Sequence, residues 1–145
     1  MEPGYRVTHL DDIPTVRFPG EPVPDWKPLR RELGITAFGT NAYIAEHAGD
    51  LVIERHDELP GPDDGDALGH EEMYVVVRGA ARFTVEGASF DVPHGGVVVL
   101  HDPALVREAV ALEAGTVVLA VGSVPGAAFT PSPWEDRFFP RGVRD

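Results

Sequence analysis

The middle of the chain alternates between short apolar runs and turn-forming residues. The runs are rich in Val, Ile, Phe and Tyr, and no convincing stretch places apolar residues at the helical period of about 3.6 residues. We therefore predict one short helix within 26–33, and strands over residues 35–45, 51–56, 73–77, 81–85, 89–92, 97–100, 105–109 and 116–121. This pattern indicates an all-β fold, a sandwich or closed barrel, rather than an α/β sheet.

Glycines mark two of the predicted turns. Arg78-Gly79-Ala80 separates two predicted strands and indicates a tight hairpin, and Glu86-Gly87 marks the turn that follows. Glycine suits both places because it adopts positive φ without a steric cost.

Prolines divide the chain into two arms and a body. Six of the 14 prolines lie in residues 1–28 and four in 125–140. We therefore predict an N-terminal arm (1–34), a barrel (35–121) and a C-terminal arm (122–145). Each arm carries large aromatic side chains that are costly to leave in water. They are Phe18, Trp26, Phe129, Trp134, Phe138 and Phe139.

These aromatic residues predict that the arms dock on a protein surface. That surface is either the outside of their own barrel or a neighbouring subunit. The second option predicts a homodimer with exchanged arms.

Charge and composition limit the partners. The net charge is −12, from 24 acidic and 12 basic residues, so nucleic acids and anionic membranes are disfavoured and a small-molecule ligand is expected. The absence of cysteine excludes disulfides and thiolate metal ligands. The N-terminus lacks the pattern of a signal peptide and no apolar run is long enough to cross a bilayer, so we expect a soluble cytoplasmic protein.

One segment carries a family resemblance. Residues 70–79 read His-Glu-Glu-Met-Tyr-Val-Val-Val-Arg-Gly, with six residues between Glu72 and Gly79. This spacing resembles the first conserved motif of the cupin superfamily, in particular the small single-domain bacterial cupins. A glycine-led run at 96–100 continues the cupin order, so the resemblance covers roughly residues 35–121. It implies a double-stranded β-helix, or jelly-roll barrel, that encloses a pocket.

The resemblance also implies a metal site. Cupins commonly hold a divalent metal with three histidines and the motif glutamate. Here Glu72 is the motif glutamate, His56 and Glu58 stand at the first two ligand positions, and His70 is expected to replace the missing imidazole. Strand alternation places His56 and Glu58 on a common face, and likewise His70, Glu72 and Tyr74.

The surroundings of these ligands depart from the cupin pattern. Residues 59–69 lengthen the interval before Glu72 and are expected to form a solvated lid rather than a calcium loop. If that loop folds back, Asp57 or Glu71 is expected to accept the second proton of a ligating imidazole.

The second cupin motif is eroded. A register that begins at Gly96 places Arg107 where cupins have a histidine ligand, whereas a register from Gly87 places Val98 there. We prefer the first register because Gly87 belongs to a turn. Arginine cannot bind a metal, since its guanidinium group is always protonated and offers only donors.

Two interpretations of the pocket remain open. In one, iron, manganese, nickel or zinc is bound, while Arg107 and Tyr74 hold a substrate that carries a carboxylate. The protein is then a small-molecule enzyme of the dioxygenase, isomerase or lyase type. In the other, Arg107 pairs with Glu72 or Glu58 in a metal-free cupin that binds an anionic metabolite. A third hypothesis is a structural or oligomeric partner protein with an inert barrel. The four predicted ligands are His56, Glu58, His70 and Glu72.

Overall fold

The computed structural model describes residues 4–61 and 69–144, so residues 62–68 of the predicted lid lie outside the described residues. The described part is mostly strands, and the all-β prediction is confirmed. The strands are β1 (Val16–Arg17), β2 (Asp25–Lys27), β3 (Gly39–Ile44), β4 (Leu51–His56), β5 (Glu71–Arg78), β6 (Ala81–Val85), β7 (Ala88–Val92), β8 (Val97–Leu100), β9 (Arg107–Ala111), β10 (Val117–Ser123) and β11 (Val143–Arg144). The helices are α1 (Leu29–Leu33) and α2 (Pro133–Phe138).

The strands form two antiparallel sheets that pack face to face. One sheet has the order β11-β1-β2-β3-β10-β5-β8, and the other has the order β4-β9-β6-β7. Over the described ranges these sheets are not joined into a closed barrel, and the arrangement agrees with the predicted jelly roll. The two inner faces enclose the main core, in which Tyr74, Phe83 and Val118 are buried.

The turn at Gly79 is not a hairpin, contrary to the sequence prediction. β5 pairs with β10 and β8, whereas β6 pairs with β7 and β9 in the other sheet. Gly79 has φ +71 and lies against Thr116, whose hydroxyl also donates to the Ala80 carbonyl at 3.1 Å. The chain therefore turns a corner between the sheets at this glycine. The following turn at Gly87 is the hairpin, because Val85 pairs with Ala88 across it.

Most predicted strands match the structure, and the helix prediction is partly wrong. Residues 51–56, 81–85 and 97–100 form strands with the predicted ends. In the segment 26–33 only the second half is helical, because Trp26 pairs in β2 with Tyr43 of β3. Pro28 separates this strand from α1, since proline lacks the N–H needed to continue a ladder or a helix interior.

Both arms pack on the barrel of the same chain. The N-terminal arm adds β1 and β2 to the larger sheet, and the C-terminal arm adds β11. Trp26 of the first arm contacts Trp134 of the second, with ring centroids 5.2 Å apart. Arg30 and Glu135 form a largely buried ion pair between the arms, with Nε donating at 3.1 Å. Exchange of arms between two chains stays a prediction.

Within residues 4–61 and 69–144, no helix has the length and apolar character needed to span a membrane.

The corner at Gly79 gives a test of the fold. A Cβ atom at Gly79 would lie 2.3 Å from Thr116 Oγ1, whereas nothing lies within 4 Å of one at Gly87, which also has positive φ. Gly87→Ala should cost about 1 kcal/mol from backbone strain alone. Gly79→Ala should cost about 1–3 kcal/mol more because of overpacking. The free energy of unfolding in urea measures both, and equal losses would contradict a packed corner.

Candidate functional site

The predicted site residues converge at one end of the space between the sheets. His56 ends β4 and Glu58 follows it, while Glu72 and Tyr74 lie on the inner face of β5. A cavity of about 420 Å³ opens here, and His56, Glu58, His70, Glu72 and Tyr74 all line it. The predicted alternation of side chains therefore places these residues on the faces that line the cavity.

His56 is held by acceptors on both ring nitrogens. Nδ1 lies 2.6 Å from the Glu54 carbonyl oxygen, and Nε2 lies 2.9 Å from Glu58 Oε1 and 4.0 Å from Glu72 Oε1. A carbonyl oxygen only accepts, so Nδ1 carries a proton and Nε2 is the nitrogen that faces the carboxylates.

The acceptor for the Nδ1 proton of His56 is the Glu54 main-chain carbonyl, whereas the sequence analysis expected Asp57 or Glu71. Asp57 Oδ1 instead accepts from the Leu59 backbone, and Glu71 pairs with His101 away from the cavity. A main-chain carbonyl carries no side-chain signal, which is why the sequence did not reveal Glu54 in this role.

His70 lies on the other side of Glu58. Its Nδ1 is 3.6 Å from Glu58 Oε2, and its ring packs against Phe129 with centroids 5.8 Å apart. Its backbone N–H donates to the Glu58 carbonyl at 3.3 Å. Among the described residues, the group of donors within 4.8 Å of one another comprises His56, Glu58 and Glu72, and His70 is not part of it.

Arg107 lies beneath the two carboxylates. It is the first residue of β9, has no exposed surface, and places Nη1 3.5 Å from Glu72 Oε1 and 3.8 Å from Glu58 Oε1. The described residues provide no hydrogen-bond partner for its Nε and Nη2. Arg107 is not among the residues that line the cavity. The structure thus gives this side chain an ion-pairing position, and the substrate contact predicted for it stays a prediction.

The two carboxyl groups have opposite pKa shifts. Burial alone would raise the pKa of Glu58, but hydrogen bonds from His56 and His70 outweigh it and lower the pKa to about 2. For Glu72, burial and then the negative charge of Glu58 raise the pKa to about 7, although Tyr74 donates a hydrogen bond to its Oε1. Burial also lowers the pKa of His56, but the contacts with Glu58 dominate and the net shift is upward.

The donor set fits a divalent metal ion. One imidazole nitrogen and two carboxylate oxygens come from His56, Glu58 and Glu72, and such mixed N/O ligands suit iron, manganese, nickel or zinc. Three protein ligands would leave positions open toward the cavity. The group could therefore hold an ion, with the Arg107 charge close by.

Aromatic side chains form another part of the cavity wall. The arms contribute Trp26, Phe129 and Trp134, and β3 contributes Tyr43. Asn41 Oδ1 accepts from Trp26 Nε1 at 2.7 Å, which fixes the indole ring. The sequence predicted that arm aromatics would be covered, but it did not predict that they would face the site.

Solved structures share this fold at low sequence identity. A cupin protein from Bacteroides fragilis has a TM-score of 0.58 at 16% identity, and the match covers 90% of this chain and 93% of that chain. A sugar phosphate isomerase of the cupin superfamily from Silicibacter pomeroyi gives 0.60 at 18% identity, covering 82% and 76%. KdgF from Halomonas sp. gives 0.55 at 18% identity, covering 79% and 86%.

The relation of this chain to known proteins rests on the fold. No protein-family model matches the chain, and no curated protein matches it. The structural neighbours and the sheet order nevertheless show a cupin fold, and the resemblance inferred from Glu72 to Gly79 is confirmed at that level.

The raised pKa of Glu72 gives a test of the site. An acid whose folded pKa is raised from 4.5 to about 7 stabilises the fold fully below pH 4.5 and loses that contribution as the pH rises through 7. Glutamine does not ionise, so Glu72→Gln lacks this loss of stability with rising pH. In the presence of a chelator, the stability of Glu72→Gln relative to wild type should therefore rise between pH 5 and 8, by on the order of 1–3 kcal/mol. Urea unfolding measures this difference.

The control is Glu113→Gln, which changes an exposed carboxylate outside the cavity wall. Its stability relative to wild type should show no comparable rise. A difference for Glu72→Gln that is flat from pH 5 to 8 would contradict the electrostatics described here.

Proposed function

We propose that this chain is an enzyme that acts on a small molecule in the cavity, with a divalent metal ion bound by His56, Glu58 and Glu72. The observation that carries the proposal is the convergence of three donor atoms within 4.8 Å at a cavity of about 420 Å³. The neighbour described as a sugar phosphate isomerase supports an isomerase-type reaction by analogy of fold. Isomerase and lyase chemistry are the classes we favour.

The residues around the ligands have separate roles in this proposal. A metal ion held by His56, Glu58 and Glu72 would supply Lewis-acid polarisation of a substrate oxygen. Tyr74 holds a proton at its hydroxyl group next to Glu72 Oε1, and His70 orients Glu58 from the side away from His56. Arg107 offsets part of the carboxylate charge from below.

The aromatic wall would orient the substrate. Trp26, Tyr43, Phe129 and Trp134 line the same cavity as the ligand cluster. Apolar rings exclude water from the reacting groups and strengthen the electrostatic interactions there. The substrate we expect therefore combines a polar head, placed at the cluster, with a body that packs against ring faces.

Metal binding is the first test. Untagged protein is stripped with a chelator, reconstituted with Fe, Mn, Ni or Zn, and assayed for bound metal by elemental analysis. Wild type should bind about one equivalent of at least one of these metals. His56→Ala should weaken the affinity by more than the roughly 10–100-fold that is typical of losing a supporting residue. The exposed His101 provides the control, and His101→Ala should bind as wild type does.

The same assay decides the role of His70. If His70 is a ligand, as the sequence predicts, His70→Ala should lose as much affinity as His56→Ala. If it only orients Glu58, the loss should be about tenfold. Failure of wild type to take up any of the four metals would overturn the proposal.

A second candidate function is metal-free binding of an anionic metabolite. Arg107 favours it, because its Nε and Nη2 are buried donors without an acceptor among the described residues. Because Arg107 does not line the cavity, a carboxylate ligand would have to enter beneath Glu58 and Glu72 to supply that acceptor through charge-assisted hydrogen bonds. The ion pairs of Arg107 with Glu58 and Glu72 also balance charge in the absence of a metal.

Calorimetry with metal-free protein tests this alternative, with oxalate, succinate and benzoate as probes. If it is right, at least one probe binds, and Arg107→Gln weakens that binding by about 10–100-fold, the usual effect of losing hydrogen bonds to a charged group. The matched control is Arg82→Gln, since Arg82 is exposed and pairs with Asp91 on the outer face of the smaller sheet. No binding by wild type, or equal binding by Arg107→Gln, would exclude this alternative.

A further inference from the structure

Glu135 is a buried acid in the cavity wall that the ligand cluster does not include. It lies in α2, is 4% exposed, and lines the same cavity as the cluster. Buried polar groups in proteins normally have hydrogen-bond partners. The contacts of this carboxylate therefore indicate what it can still bind.

Arg30 contacts one oxygen of Glu135. Its Nε and Nη2 donate to Oε2 at 3.1 and 2.5 Å. Within the part of the chain that the structure describes, no hydrogen bond reaches Oε1, and Oε1 is not among the unpaired atoms that are fully enclosed. Because Glu135 lines the cavity, a donor group on a ligand can reach this oxygen.

Aromatic rings lie next to Glu135 in the cavity wall. Trp134 precedes it in α2, and the ring centroid of Trp26 is 5.2 Å from that of Trp134. Tyr43 pairs with Trp26 across β2 and β3, and all three side chains line the cavity. The wall therefore combines a carboxylate oxygen with several ring surfaces.

Tyr43 lies within electrostatic reach of both Glu135 and the ligand cluster. Burial raises the pKa of its hydroxyl group, and the negative charges of Glu72, Glu58 and Glu135 raise it further. Charges interact strongly only over short distances. One small molecule in the cavity can therefore contact the cluster with one group and Glu135 with another.

Negative charge dominates the cavity wall. Apart from two imidazoles, the described residues that line it include one basic side chain, Arg137. The acidic residues of the wall are Glu54, Asp57, Glu58, Glu72 and Glu135. Arg30 and Arg107 contact three of these acids from outside the wall, so five carboxyl groups lie with three guanidinium groups. This excess favours a cationic group on the ligand over an anionic one.

The combination of rings and carboxylate matches a protonated amine. The faces of aromatic rings attract cations, and tryptophan attracts them most strongly. An ammonium N–H also donates to a carboxylate oxygen in a charge-assisted hydrogen bond. A hydroxyl group could donate to the same oxygen, but it carries no charge for the rings to attract.

We propose that the cavity binds a small molecule that carries a protonated amine. The ammonium group donates to Glu135 Oε1 and packs against the neighbouring rings, while another polar group of the molecule lies at the ligand cluster. The residues of this amine subsite are Trp26, Tyr43, Trp134 and Glu135. The inference rests on the proposed function, because it takes the cavity as the substrate site.

Titration calorimetry with the full, metal-free chain at pH 7 tests the subsite, with benzylamine and benzyl alcohol as probes. The two molecules share a ring and differ in the charged group, since an aliphatic amine is protonated at this pH. Wild type should bind benzylamine at least about tenfold more tightly than benzyl alcohol. No binding of benzylamine, or equal affinity for the two probes, would overturn the proposal.

Glu135→Gln tests the carboxylate. It keeps an oxygen that can accept from Arg30 but removes the negative charge, so benzylamine should bind about 10–100-fold more weakly and benzyl alcohol within about twofold of wild type. The readout is the ratio of the two affinities, because a distorted cavity would weaken both probes. Asp136→Asn is the control, since Asp136 forms the neighbouring α2 ion pair with Arg31 but is exposed and outside the wall.

Trp134→Leu tests the rings separately. Leucine keeps an apolar side chain but has no aromatic face, so the preference for benzylamine over benzyl alcohol should fall several-fold. Trp134 is only partly buried, so this variant should fold even if Glu135→Gln does not. An unchanged preference in Trp134→Leu would contradict a role of the rings in binding the amine.

Elemental analysis of the same wild-type protein separates this inference from the metal site. A preference for benzylamine without uptake of Fe, Mn, Ni or Zn would support the amine subsite and exclude the metal-dependent function. Metal uptake without that preference would leave the metal site standing and exclude the amine subsite.

Discussion

The buried guanidinium of Arg107 is the constraint on which the site depends. A positive charge without exposed surface is tolerated only with counter-charges nearby, and Glu58 and Glu72 supply them from opposite sheets. Glu58 follows β4 in the smaller sheet, whereas Glu72 lies on β5 in the larger one. The ion pairs therefore hold the two sheets in register at the mouth of the fold, and they keep two carboxylates closer together than their own repulsion favours.

The close approach of these carboxylates explains the remaining electrostatics. Two adjacent carboxyl groups cannot both be ionised cheaply, so their pKa values separate, with Glu58 near 2 and Glu72 near 7. The contacts of His56 and His70 decide which of the two stays ionised, because both imidazoles touch Glu58 at distances under 4 Å. A divalent cation and the proton of His56 Nε2 would compete for the same oxygens. The positive charge of Arg107 already offsets part of the carboxylate charge. The cluster is therefore compatible with a metal-bound function and with a metal-free one.

Local patterns in the sequence predicted the fold and the cluster of residues at the cavity. Predictions were wrong where the structure depends on contacts between residues far apart in the sequence. The alternation in β5 and the distance from Glu72 to Gly79 identified a cupin-like strand, and a preferred register placed Arg107 inward. The sequence predicts a hairpin at Gly79, and this prediction is wrong because the pairing of β5 with β8 and β10, which makes the turn a corner, leaves no local signal. The Glu54 carbonyl could not be found from side-chain identity. The strand at Trp26 could not be predicted locally either, because it depends on pairing with β3.

Because side chains alternate along β5, the two faces of this strand lie in different surroundings. Glu72 and Tyr74 face the cavity, while Glu71, Met73 and Val75 face outward. Side chains on opposite faces do not touch, so a change in the chemistry of one face leaves the composition of the other intact. They do share a backbone, and the Arg107 ion pairs fix that backbone through Glu72.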